Sequence, residues 1–499
     1  MSAMLKNSGA AALSEIERLS VESLRGRIGT SVWGGGVLLS LFALPLEGVL
    51  HLCAVLGDRK KSDIELLLAP VEGTGYPAIT ASVHQAHLFE REIAEQYDIR
   101  PEGHPWLKPV RFHEPYRKGA GVFGAERPGP AVWDYFRMKG EEIHEVAVGP
   151  VHAGIIEPGH FRFQCHGENV YHLEIQLGFQ HRGIERAIPA NPARRLFYME
   201  TAAGDTTAAH ATAYCRIAEA LSDCRPSPRA EAARAIALEL ERLANHTGDM
   251  GALAGDVGYL PTMSFCGRIR GDFLNMTALL CGSRFGRGLL EEGGTRFDIT
   301  PAIAAELSRR LDAAQADVAG AVGLLWKNPS VLARFEGTGV VSAETAAELG
   351  LVGPAARACG LKIDARADFP SGHYLTGAPE TVALETGDVY ARAMVRWLEM
   401  QQSLDFIRRT LPAAQGDSGF CRCGAFKPES AAVCVEEGWR GELCHVAFTD
   451  KGGKLSHYKI TDPSFKNWTG LALALRGQQI SDFPLCNKSF NLSYCGVDL

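Results

Sequence analysis

Two neighbouring segments carry the most specific pattern in the chain: Val148-Gly-Pro-Val-His-Ala-Gly-Ile-Ile-Glu-Pro-Gly-His-Phe-Arg-Phe163 and Leu177-Gly-Phe-Gln-His-Arg-Gly-Ile-Glu185. Apolar and aromatic residues around them predict β-structure over Glu145–Val151 and Phe161–Leu177. Turn residues at Pro158–Gly159 and Gly167–Glu168 interrupt these runs. The pattern therefore predicts a small sheet with polar turns, and such turns often carry binding and catalytic side chains.

Beyond this sheet the chain is predicted to be mainly helical. A cap residue followed by proline predicts helix starts at Ser227–Pro228 and at Thr300–Pro301. Apolar residues at helical spacing predict a third helix over Asp388–Leu411. After residue 440 the pattern predicts a return to short strands and turns, with strands over Glu442–Phe448 and Leu455–Ile460.

The N-terminal region, residues 1–112, is predicted to be a small α/β domain. Apolar runs predict strands at Val37–Leu44, Val49–Leu56 and Ile64–Pro70. Apolar positions at helical spacing predict a helix over His84–Tyr97.

Proline and glycine crowd residues 113–140, and this density predicts a linker. The second domain, residues 141–499, is predicted to be a long helix bundle with peripheral short β-sheets. The predicted fold class is therefore α+β, with the small α/β domain followed by a mainly helical one.

Composition argues against two classes of protein. The net charge of −7 over 499 residues leaves no basic excess to neutralise phosphates, so no nucleic-acid partner is expected. The most apolar stretch, Val32–Leu56, contains glycines, a proline, a glutamate and a histidine, so it predicts buried strands and no direct membrane span. No basic-then-apolar signal pattern opens the sequence. We expect a peripheral protein at the cytoplasmic face of the inner membrane, held there by partners.

Thirteen cysteines in a chain of this length do not indicate a disulfide framework, and most are expected to be buried apolar residues. One group, Cys421, Cys423, Cys434 and Cys444, leaves a second interpretation open. Four thiolates could hold zinc or an iron–sulfur cluster, although the spacing lacks paired C-x-x-C motifs.

Two family resemblances appear along the chain. Phe89-Glu-Arg-Glu-Ile-Ala-Glu-Gln-Tyr-Asp-Ile-Arg-Pro-Glu-Gly-His-Pro-Trp-Leu-Lys-Pro109 resembles the signature of the small peripheral subunit of complex I. Val148–Phe163 and Leu177–Glu185 resemble the opening of the large subunit of energy-converting nickel–iron hydrogenases and of the homologous quinone-site subunit of complex I. Further matches are Ser227-Pro-Arg-Ala-Glu, Glu239-Leu-Glu-Arg-Leu-Ala-Asn-His, Arg284-Phe-Gly-Arg-Gly and Gly438-Trp-Arg-Gly-Glu. The resemblance covers nearly the whole chain, with two subunits fused.

The resemblance locates a nickel site whose ligands are missing. A nickel–iron centre needs four thiolates, because soft sulfur ligands hold nickel and bridge it to iron. In the family two C-x-x-C pairs supply them, and our alignment puts these positions at Ala203, Thr206, Ser493 and Gly496. A shift of one residue would bring Cys495 into one position, still without C-x-x-C spacing. We therefore expect no metal and no cofactor bound by this chain.

The quinone site of complex I is altered at the same place. Its tyrosine donor aligns with Gly204, and its histidine donor falls in the loop where this chain has Ile156 and Glu157. The resemblance therefore leaves open whether a quinone binds in the changed cavity.

In the hydrogenase relatives, a glutamate in the loop of Glu157 begins the proton path away from the metal. We expect Glu157 and His152 to take part in proton transfer, because a partly buried carboxylate or imidazole can relay protons. The structural alternatives are an ion pair of Glu157 with an arginine near the Pro158 turn, and a loop histidine that is only hydrogen-bonded.

Six further residues are site candidates by resemblance. His181 and Arg182 align with the position beside the 4Fe–4S cluster held by the small subunit, where an arginine tunes the cluster electrostatically. The alternative for Arg182 is a surface ion pair with Glu185. Arg284 is expected to support the same interface. Three polar residues near the vacated metal position could transfer protons or only hydrogen-bond one another: His210, Asp205 and Glu200.

The implied assembly is an oxidoreductase complex of the NADH:quinone or hydrogenase type, combining NAD binding, electron transport and proton translocation. Its implied partners are an iron–sulfur small subunit with the 4Fe–4S cluster, a ferredoxin-like subunit and antiporter-like membrane subunits. One hypothesis makes this chain a redox- and proton-coupling subunit that is inactive alone. The other makes it a catalytically silent scaffold between the cluster subunit and the membrane arm. The tail Asp482–Leu499 is expected to thread into the altered cavity.

Overall fold

The computed structural model describes residues 4–117, 119, 121–124, 129–153, 156–417 and 419–499. Helices and short sheets are mixed along the chain, so the fold class is α+β, as predicted. No helix in the described ranges is both long enough and apolar enough to cross a membrane.

The N-terminal part is built around one antiparallel sheet. Its elements are β1 (Met4–Leu5), β2 (Gly9–Ala12), β3 (Glu17–Arg18), α1 (Val21–Trp33), β4 (Val37–Leu46), β5 (Val49–Asp58), β6 (Asp63–Pro70), β7 (Gly75–Pro77), α2 (His87–Tyr97) and β8 (Arg100–Glu102). The sheet order is β1-β6-β5-β4, with β3 paired in parallel to β6. The three predicted strands and the predicted helix are confirmed, because long apolar runs become strands that are buried on both faces.

The segment with the specific pattern forms a second antiparallel sheet. Its strands are β9 (Ile143–Val148), β10 (His160–His166) and β11 (Asn169–Gln176), in the order β11-β10-β9. Three helices follow: α3 (Ile184–Ala190), α4 (Arg195–Glu200) and α5 (Thr207–Ser222). The described residues of 113–140 form no helix or strand.

The helical region follows α5 along the chain. Its elements are α6 (Pro228–Asp256), α7 (Leu260–Cys281), β12 (Leu290–Glu291), β13 (Gly294–Thr295), α8 (Pro301–Trp326), α9 (Pro329–Phe335), α10 (Ala343–Leu349), α11 (Gly353–Arg357), α12 (Ala365–Asp368) and α13 (Val389–Ala414). The predicted helix starts are confirmed, since Ser227, Thr300 and Asp388 each cap the helix that follows with a side-chain oxygen. Packing of α6 against α7 and α13 forms the centre of the bundle.

The Thr300 cap gives a first prediction. Its Oγ1 accepts a hydrogen bond of 3.2 Å from the Ile303 backbone N–H at an exposed helix end. Replacing Thr300 with alanine should lower the free energy of unfolding by about 1 kcal/mol, because one N–H loses its partner. Denaturant unfolding measures the change, and Thr300→Ser, which keeps the hydroxyl, should stay close to the parent protein. Equal losses in the two variants would contradict the capping role.

The C-terminal region departs from the prediction. Three strands form as β14 (Ser430–Gly438), β15 (Gly441–Thr449) and β16 (Leu455–Thr461), but helices follow as α14 (Pro463–Ala474), α15 (Phe483–Phe490) and α16 (Cys495–Asp498). The prediction of strands and turns to the end of the chain is therefore wrong. A signal for α14 was present, because Asp462 caps the helix through the Ser464 N–H and Pro463 occupies its first turn.

The N-terminal and C-terminal sheets are joined by packing and by pairing. The face of β4–β6 packs on β14–β16 through a shared apolar cluster, with Phe42 edge-on to Phe448. Strand β2 pairs with β14 in the sheet order β16-β15-β14-β2. The Asn7 side chain also donates to the Val435 carbonyl at 2.7 Å. Backbone pairing therefore crosses from residues 1–112 into residues 141–499, and this division of the chain into domains stays a prediction.

A buried ionic cluster holds the two parts together, and we call it the junction cluster: Glu92, Arg111, Glu185 and Lys459. The Lys459 ammonium lies 2.7 Å from Glu92 and 2.9 Å from Glu185. Arg111 pairs with Oε1 of Glu92, one of the two oxygens that Lys459 also contacts. Burial opposes ionisation of Glu92, but Lys459 and Arg111 outweigh it and hold its pKa at about 2.

The four cysteines considered for a metal do not converge. Cys434 faces the main core, whereas Cys444 on the paired strand faces the cluster between the two sheets. Two thiolates on opposite faces of a sheet cannot bind one ion. Across the described residues no group of three or more histidine, cysteine or acidic side chains is arranged to hold a metal.

Candidate active site

The C-terminal tail forms one wall of the site. Asp498 is buried, and its carboxylate accepts hydrogen bonds from the backbone N–H groups of Gly178 (2.7 Å) and Gln180 (2.8 Å). The backbone oxygen of Leu499 accepts from Arg182 and Gly183 at 2.8 and 2.9 Å. The end of the tail therefore packs against residues 178–183, and its threading into an altered cavity stays a prediction. Burial raises the pKa of Asp498 to about 6, against the opposing effect of the two N–H donors.

The four aligned ligand positions are buried beside one another, around the tail. The Cys495 thiol lies next to the Gly204 backbone N–H and 3.5 Å from the Ser493 hydroxyl. A side chain at Gly496 would stand 2.8 Å from the Asp462 carboxylate, so this position is closed to any larger residue. A methyl, two hydroxyls and a bare backbone replace the four thiolates, and this donor set does not fit nickel.

Glu157 faces the tail and is half-buried. Its carboxylate accepts a 3.2 Å hydrogen bond from the Tyr494 backbone N–H, and the Cys495 thiol lies beside it. The thiol pKa rises to about 12, because burial and the neighbouring carboxylate both disfavour the thiolate. No arginine in the described part of the chain pairs with Glu157, which sets aside the ion-pair alternative. Its relay role stays a prediction.

His152 is placed apart from this contact. Its Nε2 lies 2.9 Å from the Gly159 carbonyl oxygen, and its ring packs against Phe161. The structure therefore shows a hydrogen-bonded loop histidine, and a relay role for His152 stays a prediction without a described link to Glu157.

His210 belongs to a buried chain of hydrogen bonds that the sequence did not reveal, and we call it the histidine chain: Tyr458, His445, His210 and Asp462. The Tyr458 hydroxyl lies 2.8 Å from His445 Nδ1, and His445 Nε2 lies 2.9 Å from His210 Nδ1. His210 Nε2 lies 3.1 Å from Asp462. All four side chains are at most 1% exposed. Burial holds the pKa of His445 well below its usual value, so this ring is neutral.

Asp205 and Glu200 do not join His210. The Asp205 carboxylate forms a two-fold ion pair with Arg440 at 2.5 and 2.8 Å. Burial opposes this charge, but Arg440 holds the pKa of Asp205 below its usual value. Glu200 accepts a 2.6 Å hydrogen bond from the Gly288 N–H. The three polar candidates therefore have three different partners.

A small void lies next to Asp205, and Arg284 also lines it. The void measures about 20 Å³, and its lining includes Asp205, Asn245, Arg284 and the half-buried Glu241. Sequence analysis missed Glu241, whose carboxylate accepts a 2.6 Å hydrogen bond from the Ala208 N–H at the start of α5. Burial and the charge of Asp205 raise the pKa of Glu241 to about 8.

This raised pKa gives a second prediction. The folded protein keeps a proton on Glu241 up to about pH 8, whereas the unfolded chain loses it near the ordinary glutamate pKa. The folded state therefore binds more protons in this window, and stability falls as pH rises through it. Glu241→Gln should remove that fall, so the variant should equal the parent near pH 4 and exceed it at pH 9. Melting temperatures of the variant and the parent protein, measured from near pH 4 to pH 9, test this prediction. The same pH dependence in both proteins would contradict the raised pKa of Glu241.

The predicted cluster-facing residues lie beside residues 201–206. Arg182 is exposed, yet its guanidinium donates to the carbonyl oxygens of Thr201 (2.7 Å) and Ala202 (2.9 Å) and not to Glu185. His181 Nδ1 contacts the Asp498 carbonyl oxygen at 2.7 Å, and its ring stacks on His113. Arg284 is exposed on the other side, with its charge above the Phe285 ring.

Two family profiles match separate parts of the chain. The profile of the respiratory-chain NADH dehydrogenase 49 Kd subunit matches residues 256–420. The profile of the 30 Kd subunit of the same enzyme matches residues 41–120. The second match contains the sheet β4–β6 and the Phe89 segment, and the first contains much of the helix bundle.

Whole proteins with similar sequences come from the same group. The chain is 31% identical to the carbon monoxide-induced hydrogenase of Rhodospirillum rubrum, over 70% of this chain and 97% of that protein. It is 28% identical to formate hydrogenlyase subunit 5 of Escherichia coli, over 85% of this chain and 77% of the relative. It is 27% identical to NADH-quinone oxidoreductase subunit 4 of Thermus thermophilus, over 68% and 90%. The chain therefore belongs to the family of hydrogenase and complex I large subunits, with a region of the 30 Kd type fused before it.

Proposed function

We propose that this chain is the redox- and proton-coupling subunit of a membrane-bound, complex I-like oxidoreductase, and that it works without a nickel–iron centre of its own. Its relatives are subunits of hydrogenases and of NADH-quinone oxidoreductases, which supports a redox role within a complex. Electrons would arrive on the 4Fe–4S cluster of an iron–sulfur small subunit. The part played by this chain would be to position that subunit and to conduct protons.

The observation that carries the proposal is the unbroken run of buried hydrogen bonds in the histidine chain. Asp462 is held as a carboxylate, because hydrogen bonds from His210 and Ser464 outweigh its burial and lower its pKa. A carboxylate only accepts, so His210 Nε2 donates to it. In the neutral tautomer that this bond selects, the other ring nitrogen accepts from His445 Nε2. His445 Nδ1 then accepts from the Tyr458 hydroxyl. All three bonds point towards Asp462, as a proton path with one polarity requires.

The histidine chain ends beside the tail, where Glu157 lies. Ser464 links the two, since its N–H donates to Asp462 at 2.7 Å and its hydroxyl accepts from the Ser493 N–H at 2.9 Å. Ser493 in turn contacts the Cys495 thiol, which lies beside Glu157. Backbone N–H groups do not relay protons, so these contacts would fix the position of Asp462 relative to Glu157, and a water molecule would carry the proton between them. Glu157, which is half-buried, would then exchange the proton with solvent. A quinone bound near Gly204 would be one acceptor for protons and electrons together.

The exposed surface around residues 201–206 supports docking of the small subunit. Gly204 is exposed between Arg182 and Arg284, two cations without a carboxylate partner among the described residues. Fixed positive charge next to a cluster favours its reduced form. Ferredoxin-like and antiporter-like subunits would complete the complex at the cytoplasmic face of the inner membrane.

A second function, a silent scaffold, is favoured by one observation. The tail fills the space around the former metal position, and Arg182 is held by backbone carbonyls of residues 201, 202 and 495. Such a filled site could join the cluster subunit to the membrane arm without turnover of its own.

The test of the proposal uses the intact complex. Glu157→Gln keeps the size of the side chain but cannot carry a proton, so proton-coupled turnover should fall at least about tenfold. Glu142→Gln, a change of an exposed glutamate paired with His166 on the β9–β10 sheet, is the matched control and should leave turnover unchanged. Unchanged turnover in Glu157→Gln, with the small subunit still bound, would establish the scaffold function instead.

A further inference from the structure

The thiols of Cys224, Cys421 and Cys423 lie close together at the turn between α5 and α6. Cys224 is far in sequence from the other two. Cys224 lies just after α5, whereas Cys421 and Cys423 lie in the connector, residues 419–429, which precedes β14. The Cys224 thiol donates to the Cys421 carbonyl oxygen at 3.3 Å. The thiols of Cys423 and Cys421 are its neighbours and raise its pKa. Three sulfur atoms thus meet although 197 residues separate Cys224 from Cys421.

Backbone hydrogen bonds hold the connector in place before and after its two cysteines. The Cys421 N–H donates to the Gly293 carbonyl at 3.0 Å, and the Lys427 N–H donates to the Leu221 carbonyl at 2.7 Å. The Lys427 ammonium adds an ion pair with Asp223 at 2.6 Å. Gly293 has a left-handed φ of 93°, and a side chain there would stand 1.7 Å from the Cys421 carbonyl oxygen. The connector therefore lies against α5 in a defined register.

The thiols can be reached from solvent. Cys224 lines an open cleft of about 740 Å³ between the end of α5, residues 6–10 and residues 370–372. Cys421 and Cys423 are half-buried, whereas most of the other cysteines are buried. Five basic side chains outnumber the three acidic ones in the cleft and favour an anionic small molecule: Lys6, Lys61, Arg216, Arg225 and Lys427.

Cys423 is the better nucleophile of the two nearest thiols. Burial raises the pKa of Cys423, but hydrogen bonds from Cys224 and Ser222 to its sulfur oppose that rise and stabilise the thiolate. The Cys224 pKa is raised by burial and by its thiol neighbours. Attack by Cys423 followed by resolution through Cys224 is therefore the favoured order.

We propose that Cys423 and Cys224 form a reversible dithiol–disulfide pair that ties the connector to the α5–α6 turn. The oxidant is a low-molecular-weight disulfide of the glutathione class. The Cys423 thiolate attacks one sulfur of the reagent, its S–S bond breaks, and one small thiolate leaves. The Cys224 thiolate then attacks the Cys423 sulfur and expels the second. The protein loses two electrons and two protons, and the two released thiolates take up those protons.

The test uses the full-length protein and glutathione disulfide as the probe. After reaction and blocking of free thiols, mass spectrometry should find two thiols fewer and a peptide joining Cys224 to Cys423, both reversed by dithiothreitol. Cys224→Ser should stop at one glutathione adduct on Cys423, because the resolving thiol is gone. Cys281→Ser, a change of a half-buried cysteine outside the group, should leave the link intact.

A conformational readout accompanies the chemistry. Arg422 is exposed between the two connector cysteines, so trypsin can cleave after it. Oxidation should slow this cleavage roughly fivefold, since a tethered segment opens less often, and Cys421→Ser should preserve the effect. A link between Cys224 and Cys421, or no link while the denatured chain oxidises readily, would overturn the proposal.

Discussion

Lys459→Met should destabilise the protein by about 3–5 kcal/mol, the largest stability loss we expect from a single substitution. Lys459 is 2% exposed and is the ammonium partner of Glu92 and Glu185. Removing it leaves two carboxylates in the junction cluster with only Arg111 to balance them. A methionine fills the volume, so the loss reports the uncompensated charge and not a cavity.

Denaturant unfolding at neutral pH measures this loss. Lys454→Met changes an exposed lysine that precedes the same strand and should cost less than 0.5 kcal/mol by the usual rule for surface positions. Adding Glu185→Gln to Lys459→Met should recover part of the loss, because one unbalanced charge is removed. A loss below about 1 kcal/mol for Lys459→Met would contradict the role of the junction cluster.

The pH dependence of the parent protein follows from the same cluster. The folded pKa of Glu92 is about 2, below its unfolded value near 4.3. Its ionised form therefore contributes stability that is present above the unfolded pKa and is lost as pH falls from about 4.3 through about 2.

His210→Gln should reduce proton-coupled turnover of the intact complex about a hundredfold, within the range known for loss of a positioned acid–base group. A glutamine amide can hydrogen-bond to both His445 and Asp462, but it cannot accept a proton on one side and release it on the other. The hydrogen bonds of the histidine chain would remain, but protons would no longer pass along it. Binding of the small subunit should be unchanged, because His210 is 0% exposed.

Two comparisons isolate this effect. His51→Gln replaces another buried histidine, on β5, and should leave turnover at the parent level. Tyr458→Phe removes the hydroxyl that begins the histidine chain and should lower turnover in the same direction. If His210→Gln turns over normally while folded, protons do not pass along these residues and the proposed path is wrong.

Local pattern was enough for much of the fold. The strands of the N-terminal sheet were predictable because runs such as Val37–Leu44 are apolar at every position except Ser40. The helices after Ser227 and Thr300 were predictable because caps are local signals. The tail was not, since α15 begins without a side-chain cap and α16 has only four residues. Helix α14 could have been found from Asp462-Pro463, which is the same kind of cap.

The site was predictable only where residues are close in sequence to a family motif. His210 was identified this way, but its partners His445 and Asp462 lie 235 and 252 residues away, and no local pattern connects them. Arg440 lay within a matched motif without an assigned role, although it neutralises Asp205. Such contacts depend on how the sheet β14–β16 packs against α5, which spacing does not encode.

The pairing of β2 with β14 has a consequence for biosynthesis. Asn7 and Val435, which share a hydrogen bond, are 428 residues apart, so almost the entire polypeptide must leave the ribosome before this edge of the sheet can close. Until then the apolar face of the β4–β6 sheet has no cover, a situation that favours aggregation of nascent chains. Contacts of such long range also slow folding. Fusion of the two regions thus guarantees equal amounts of both at the expense of a late final step.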